Sequence, residues 1–226
     1  YTKFLKNNHS IISDLFLGLY LNEIVCVNCN NISYSYDPFN VLTLEVSDVK
    51  LNLFTSLQEC FSNFLKVENV EYTCDCCKEK TISKKTLHIF YLPEKLVIHF
   101  KRFKYINGRN SKLNNSINFP LENLYINSIA DINSSEKNPY ELYGVVHHSG
   151  TSNGGHYVAS TKNPINNAWY NFNDSSVSKI KDKDVIDISA YILFYQKKRV
   201  DKSLVEDLTV KSVVDSSDIT DSWDIS

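Results

Sequence analysis

Two cysteine pairs at C-x-x-C spacing, Cys26 with Cys29 and Cys74 with Cys77, constrain the fold of this chain more than any other feature. Two residues between cysteines let both thiolates of one tight turn reach a single tetrahedral ion, so two such pairs supply the four ligands of a structural zinc site. Residues 30–73 lie between the pairs. Compact zinc modules have shorter spacers, so here a helix and a strand or two must fold back to bring the pairs together. Reduced structural thiols, or disulfides in a secreted domain, are the alternatives, and the lack of a signal-peptide pattern fits disulfides poorly. Cys76 sits between two presumed ligands and is expected to point away, with a register that uses it left open. Cys60 falls near the apolar side of a predicted helix, the ordinary place for a small buried thiol. Neither has a local context that marks a nucleophile.

Around these cysteines the hydrophobic pattern alternates at period two, over Val41 to Val46, Leu87 to Tyr91, Leu96 to Phe103, Tyr140 to Val146, His156 to Thr161 and Tyr191 to Gln196. That period belongs to strands with one buried face, and it predicts an antiparallel sheet. Only two helices are indicated. Ser10 to Gly18 sets Ile11, Leu15 and Phe16 against Ser13 and Asp14, and a span of about 55–66 carries Leu57, Phe61, Phe64 and Leu65 at helical spacing. Thr55 with Gln58, or Ser56 with Glu59, supplies its capping-box start. The fold class is therefore α+β and sheet-rich. Asn107-Gly108 and Gly154-Gly155 mark turns, and the polar stretch from Asn127 to Pro139 looks like a surface insertion. Past Arg199 the chain turns polar and acidic, so residues 200–226 form a separate tail or a short docked extension.

Composition excludes several classes of partner. With 24 Lys and Arg against 26 Asp and Glu, no cationic excess is available to neutralise phosphates, which argues against nucleic acid. Apolar runs such as Leu96 to Phe100 are far shorter than the roughly 20 residues that cross a bilayer, which argues against a membrane protein. An intracellular protein, cytoplasmic or nuclear, is expected. The chain has no Met and starts at Tyr1, so a fragment of a longer protein is expected as well.

The chemistry-bearing candidate is His156, just after Gly154 and Gly155 and at the head of an alternating strand. Strand placement holds the ring, and glycines leave space for another backbone to approach. The segment Trp169 to Asp174 can form the neighbouring strand after a turn around Asn163 to Asn167, and antiparallel pairing would bring Asn173 or Asp174 to His156. A catalytic imidazole needs such a partner, because a hydrogen bond to one ring nitrogen fixes the tautomer and leaves the other facing a nucleophile. A plain turn with a partly exposed histidine is the alternative. His88 and His99 alternate with strand neighbours and are taken as structural, while His148 is placed for a supporting role.

These pieces, in order, resemble the ubiquitin-specific proteases: Ser10-Ile-Ile-Ser-Asp-Leu-Phe16; Cys26-x-x-Cys29; Tyr72-x-Cys74-x-x-Cys77; Leu92-Pro93 with Leu96-Val-Ile-His-Phe-Lys-Arg-Phe103; Tyr143-Gly-Val-Val146 with Gly154-Gly-His-Tyr157; Trp169-Tyr-x-Phe-Asn-Asp174; and Ala190-Tyr-Ile-Leu-Phe-Tyr195. The resemblance implies a partial papain-like cysteine proteinase fold, with fingers and palm over 1–199 and the fingers at about 20–90. It implies a deubiquitinase that hydrolyses the bond at the C-terminal glycine of ubiquitin, with ubiquitin and ubiquitinated proteins as partners. His156 and Asn173 match the catalytic positions and Asp174 assists. Gly154, Gly155, Tyr157 and His148 match the substrate groove, and Cys26, Cys29, Cys74 and Cys77 match the ligands of one structural Zn²⁺. The family's Gly-rich opening motif with its nucleophilic cysteine has no counterpart here, so the chain alone is expected to be inactive. A non-catalytic ubiquitin-binding pseudoenzyme is the alternative.

Overall fold

The computed structural model describes residues 9–46, 54–106, 108–128 and 139–198. The acidic tail at 200–226 and most of the polar stretch before Pro139 lie outside the described residues. In chain order the elements are α1 (Ile11–Phe16), β1 (Gly18–Val25), β2 (Ile32–Phe39), β3 (Leu42–Glu45), β4 (Phe54–Ser56), α2 (Leu57–Phe64), β5 (Glu68–Thr73), β6 (Lys80–Tyr91), β7 (Lys95–Lys101), β8 (Phe103–Ile106), β9 (Arg109–Lys112), β10 (Ser116–Asn118), β11 (Tyr140–Thr151), β12 (Gly154–Lys162), β13 (Trp169–Asn173), β14 (Ser176–Ile180), a 3-10 turn at Asp182–Asp184, and β15 (Ala190–Lys197).

The strands build a four-stranded sheet in the order β2-β1-β6-β5 and a seven-stranded sheet in the order β14-β13-β12-β11-β15-β7-β3. Most pairs are antiparallel, as the alternation predicts. Two pairs are parallel, β3 with β7 and β4 with β10, an arrangement open to them because neither pair is joined by a hairpin. Register explains the core of the larger sheet: Leu42 lies opposite Ile98, Ile98 opposite Leu193, and Leu193 opposite Val145. All four are buried in one cluster with Leu57, Cys60 and Phe61 of α2. Helix α2 thus covers one side of the sheet with the apolar stripe its sequence shows. Its start is settled in favour of Ser56: the Ser56 hydroxyl accepts from the Glu59 amide at 3.1 Å, and the Glu59 carboxylate accepts from the Ser56 amide at 2.9 Å. Burial pushes the Cys60 thiol up to about 11, which suits an inert core residue.

Two expectations need correction. The strand expected over Leu96 to Phe103 breaks at Arg102, which is fully buried. Its guanidinium donates to the carbonyls of Ala190 (2.8 Å), Leu113 (3.0 Å) and Asn115 (2.8 Å), and a side chain serving three backbone acceptors forces the chain out of the ladder. Helix α1 is shorter than expected and buries none of its residues, with Ile11 68% exposed. Fewer than two turns cannot present a buried stripe. A reciprocal cap holds it instead, the Ser10 hydroxyl accepting from the Ser13 amide at 3.1 Å and the Ser13 hydroxyl from the Ser10 amide at 2.8 Å.

Candidate active site and zinc ribbon

The turn joining β1 to β2 carries Cys26 and Cys29, and the turn joining β5 to β6 carries Cys74 and Cys77. Because β1 pairs with β6, the two turns meet at the same end of the smaller sheet, which is how residues 30–73 close the gap. The turns repeat each other: the Cys26 carbonyl accepts from the Asn30 amide and the Cys74 carbonyl from the Lys78 amide, each at 2.9 Å. In both, the residue after the second cysteine is left-handed, Asn30 at φ 56° and Lys78 at φ 62°. Asn28 Nδ2 donates to Glu79 Oε2 at 2.6 Å and ties one turn to the other.

All four sulfurs lie within 4.8 Å of one another, with Cys26 Sγ to Cys77 Sγ at 3.8 Å and Cys29 Sγ to Cys74 Sγ at 3.6 Å. Zinc–sulfur bonds of about 2.3 Å in a tetrahedron place sulfurs about 3.8 Å apart, so the residues fit the ion. Within the cluster the backbone amide of Cys29, then that of Asn28, lowers the Cys26 thiol to about 6, whereas at Cys29 and Cys77 the backbone amides are outweighed by burial and neighbouring thiols, which raise both. Cys76 is exposed and stands outside the cluster, as expected. The left-handed lysine is a local liability, because a Cβ in that region costs roughly 1–2 kcal/mol. Lys78→Gly is therefore expected to stabilise the protein by about 0.5–1 kcal/mol, after allowing for glycine's greater unfolded-state entropy. Thermal unfolding checks this, and a lowered midpoint would count against it.

In the larger sheet, Ala159 pairs with Phe172 and Ser160 with Asn171. Extending that register places His156 and Asn173 diagonally on one face. His156 Nε2 donates to Asn173 Oδ1 at 2.6 Å, so the proton resides on Nε2 and Nδ1 is the ring's basic nitrogen. Asp174 Oδ2 stands 3.9 Å from the same nitrogen, and its side chain is 81% exposed, so solvent screens its charge. The residue is left-handed at φ 50° in the two-residue turn between β13 and β14, a conformation Asp tolerates. Of the two residues the sequence offered, Asn173 makes the bond and Asp174 is the more distant.

His156 and Asn173 line an open cavity of about 300 Å³ together with His147, Ser160, Asp187 and Ser189. No cysteine is among its described lining residues. Sequence reasoning gave His147 no role, yet it is the centre of a hydrogen-bonded chain that runs from buried Ser160 to exposed Asp187. Its Nε2 is 3.1 Å from Ser160 Oγ, its Nδ1 is 3.3 Å from Ser189 Oγ, and the Ser189 hydroxyl donates to the Asp187 carboxylate. Burial lowers the pKa of His147, with Asp187 opposing. Burial works to raise Asp187, but the hydroxyl and amide of Ser189 outweigh it and hold the carboxyl below its ordinary range.

The opposite face carries the expected groove residues. His148 lies opposite Tyr157 in the ladder, with ring centres 4.6 Å apart, and Phe103 and Tyr191 complete the cluster at 5.6 and 5.7 Å from His148. Burial, then Lys112, lowers the pKa of His148. The two glycines differ. A Cβ on Gly155 would fall 2.2 Å from His148 Nε2 and 2.4 Å from the Ser149 carbonyl, whereas one on Gly154 would meet nothing within 4 Å. Gly155 is thus required by close packing, and Gly154 leaves open space. Alternation alone could have flagged Tyr191, whereas Phe103 arrives only through the break at Arg102.

A sheet-rich body bearing an imidazole–carboxamide pair, with a second sheet ending in four clustered thiols, has the layout of the catalytic domain of ubiquitin-specific proteases. The family model described as ubiquitin carboxyl-terminal hydrolase matches residues 2–195, and the chain belongs to this family. It is 36% identical over 198 residues to ubiquitin carboxyl-terminal hydrolase 2 of Gallus gallus, a match covering 86% of this chain and 55% of that protein. Among solved structures it resembles the SAGA DUB module of Ubp8, Sgf11, Sus1 and Sgf73 bound to monoubiquitin, at 38% identity and a TM-score of 0.70, over 85% of this chain and 43% of that one. The same module bound to ubiquitin aldehyde gives 36% identity and a TM-score of 0.71, over 85% and 44%. The chain thus spans about half the length of these relatives. Among the described residues no helix is long and apolar enough to cross a membrane.

Proposed function

We propose that this chain is the fingers and palm portion of an active deubiquitinase, which hydrolyses the isopeptide or peptide bond at the C-terminal glycine of ubiquitin through a cysteine thiolate. The observation that carries the reading is the 2.6 Å bond from His156 Nε2 to Asn173 Oδ1. It fixes the tautomer in which Nδ1 can take a thiol proton and later return it to the departing amine. Asn173 orients the ring without adding charge, and Asp174 contributes a screened negative charge to the imidazolium that forms. Gly154, Gly155, Tyr157 and His148 border the groove for the ubiquitin tail.

Cys26, Cys29, Cys74 and Cys77 hold a structural zinc, since four thiolates leave no open position for water. The ribbon grips the body of ubiquitin, and its reduced thiols suit an intracellular compartment, cytoplasmic or nuclear. Four cysteines are committed to the ribbon, Cys60 is sealed in the core and Cys76 sits on the ribbon turn. The nucleophile therefore belongs to another part of the full-length protein, and this chain alone is inactive. Incubating the full-length protein with ubiquitin carrying an electrophilic C-terminus tests the proposal. A covalent adduct on a cysteine outside this chain is expected, and ubiquitin binding without any adduct or turnover would make the protein a pseudoenzyme.

A further inference from the structure

Lys112 Nζ donates to the backbone carbonyl of His148 at 2.5 Å, at the point where a ladder runs out. Strand β15 pairs with β11 only as far as Ala190 opposite His147. One residue on, the His148 amide still reaches back to the Ser189 carbonyl at 2.9 Å. In an antiparallel strand the N–H and C=O of one residue point to the same side, so the His148 carbonyl also faces the vacated flank. The Ser189 amide that would meet it has turned to Asp187 Oδ1 at 2.8 Å, and the Ala190 amide goes to the Asp187 carbonyl at 3.1 Å. The ammonium of Lys112 takes the place of the missing strand.

Lys112 ends β9, and β8 with β9 forms a two-stranded sheet separate from the palm. The hairpin is pinned at its base through Arg102, whose carbonyl accepts from the Leu113 amide at 2.7 Å, and Phe103 at its start touches the His148 ring. We propose that Lys112 is a positioning residue for the substrate groove. By supplying the donor that β15 lacks, it ties the His148–Tyr157 side of the proposed groove to the β8–β9 hairpin. This rests on the deubiquitinase reading given above. Burial, then the nearby Arg102 charge, lowers the pKa of Lys112. A partly desolvated ammonium gains from a bonded acceptor.

The test compares Lys112→Met, which keeps the stem and removes the donors, with Lys112→Arg in the full-length protein. For a ubiquitin–fluorophore, Lys112→Met is expected to raise KM about 10-fold with kcat changed less than about 2-fold, and Lys112→Arg to recover most of the loss. A merely structural role would reduce the active fraction, and so kcat, at unchanged KM. That result, or a wild-type KM in the Met variant, overturns the proposal. Should the Met variant fail to fold, Lys112→Gln, a donor of shorter reach, carries the same comparison. If the wild-type protein has no turnover, the deubiquitinase reading fails separately, and titration with ubiquitin then decides this one: about 10-fold weaker binding by the Met variant supports it, and equal binding overturns it.

Discussion

Replacing His156 with alanine in the full-length protein is expected to cut turnover of a ubiquitin–fluorophore by about 10³-fold or more while leaving affinity for ubiquitin within about 2-fold. The size follows from two losses at one site. General acid–base transfer contributes about 10²–10⁴-fold by itself, and without the imidazole the thiol also loses the base that makes it a thiolate. Affinity is spared because the ring is 47% exposed and bonded only to Asn173 among the described residues, so its removal unbraces nothing in the core. Asn173→Ala should fall less far, about 10–100-fold, since the imidazole remains and only its orientation and tautomer are released. The ordering of the two variants is itself informative. Retained turnover in His156→Ala would remove the ring from the mechanism, and an Asn173 variant as inactive as the histidine variant would mean that the carboxamide does more than orient.

That pair was legible in the sequence because a hairpin is local: seventeen positions, a turn with asparagines at Asn163 and Asn167, and period-two patterning fix the register without help from the rest of the fold. The cysteine ribbon was legible for a different reason, since thiol chemistry requires the pairs to meet whatever path joins them. What escaped depends on contacts remote in sequence. Strands β1 and β6 bring the two turns together with β2 at the sheet edge, where Tyr34 and Tyr36 are exposed, so no apolar alternation advertises β2. The parallel partnership of β3 with β7 leaves no trace in either segment. The His147–Ser189–Asp187 chain and the Lys112–His148 contact arise where β15 begins, in a register shift between Val146 and His147, and irregularities of that kind are set by tertiary packing and not by local propensity.

Removing the zinc proposed at the four thiols should produce the second large effect, of a different kind. Chelation, or Cys74→Ser, leaves thiols that are held together by little else, and structural zinc is worth an apparent 10–16 kcal/mol or so in zinc-finger peptides. Only part of that is at stake here, because the sheet has its own anchors nearer the palm. Tyr20 stacks on Phe39 at 4.2 Å and Tyr36 meets Phe90 edge-on at 5.2 Å, while β1 and β6 stay paired along most of their length. Loss should therefore start at the two cysteine turns and stop short of the palm. Hydrogen exchange is expected to accelerate over residues 24–33 and 71–82 with little change over 156–173, and ubiquitin affinity to fall at least about 10-fold while the His156–Asn173 pair persists. Protein purified with one equivalent of zinc, in which Cys74→Ser shows this gradient, would tie the ribbon to ubiquitin binding. An unchanged exchange pattern would mean that the four thiols hold the turns without a metal, and uniform acceleration across both sheets would mean that fingers and palm unfold as one unit.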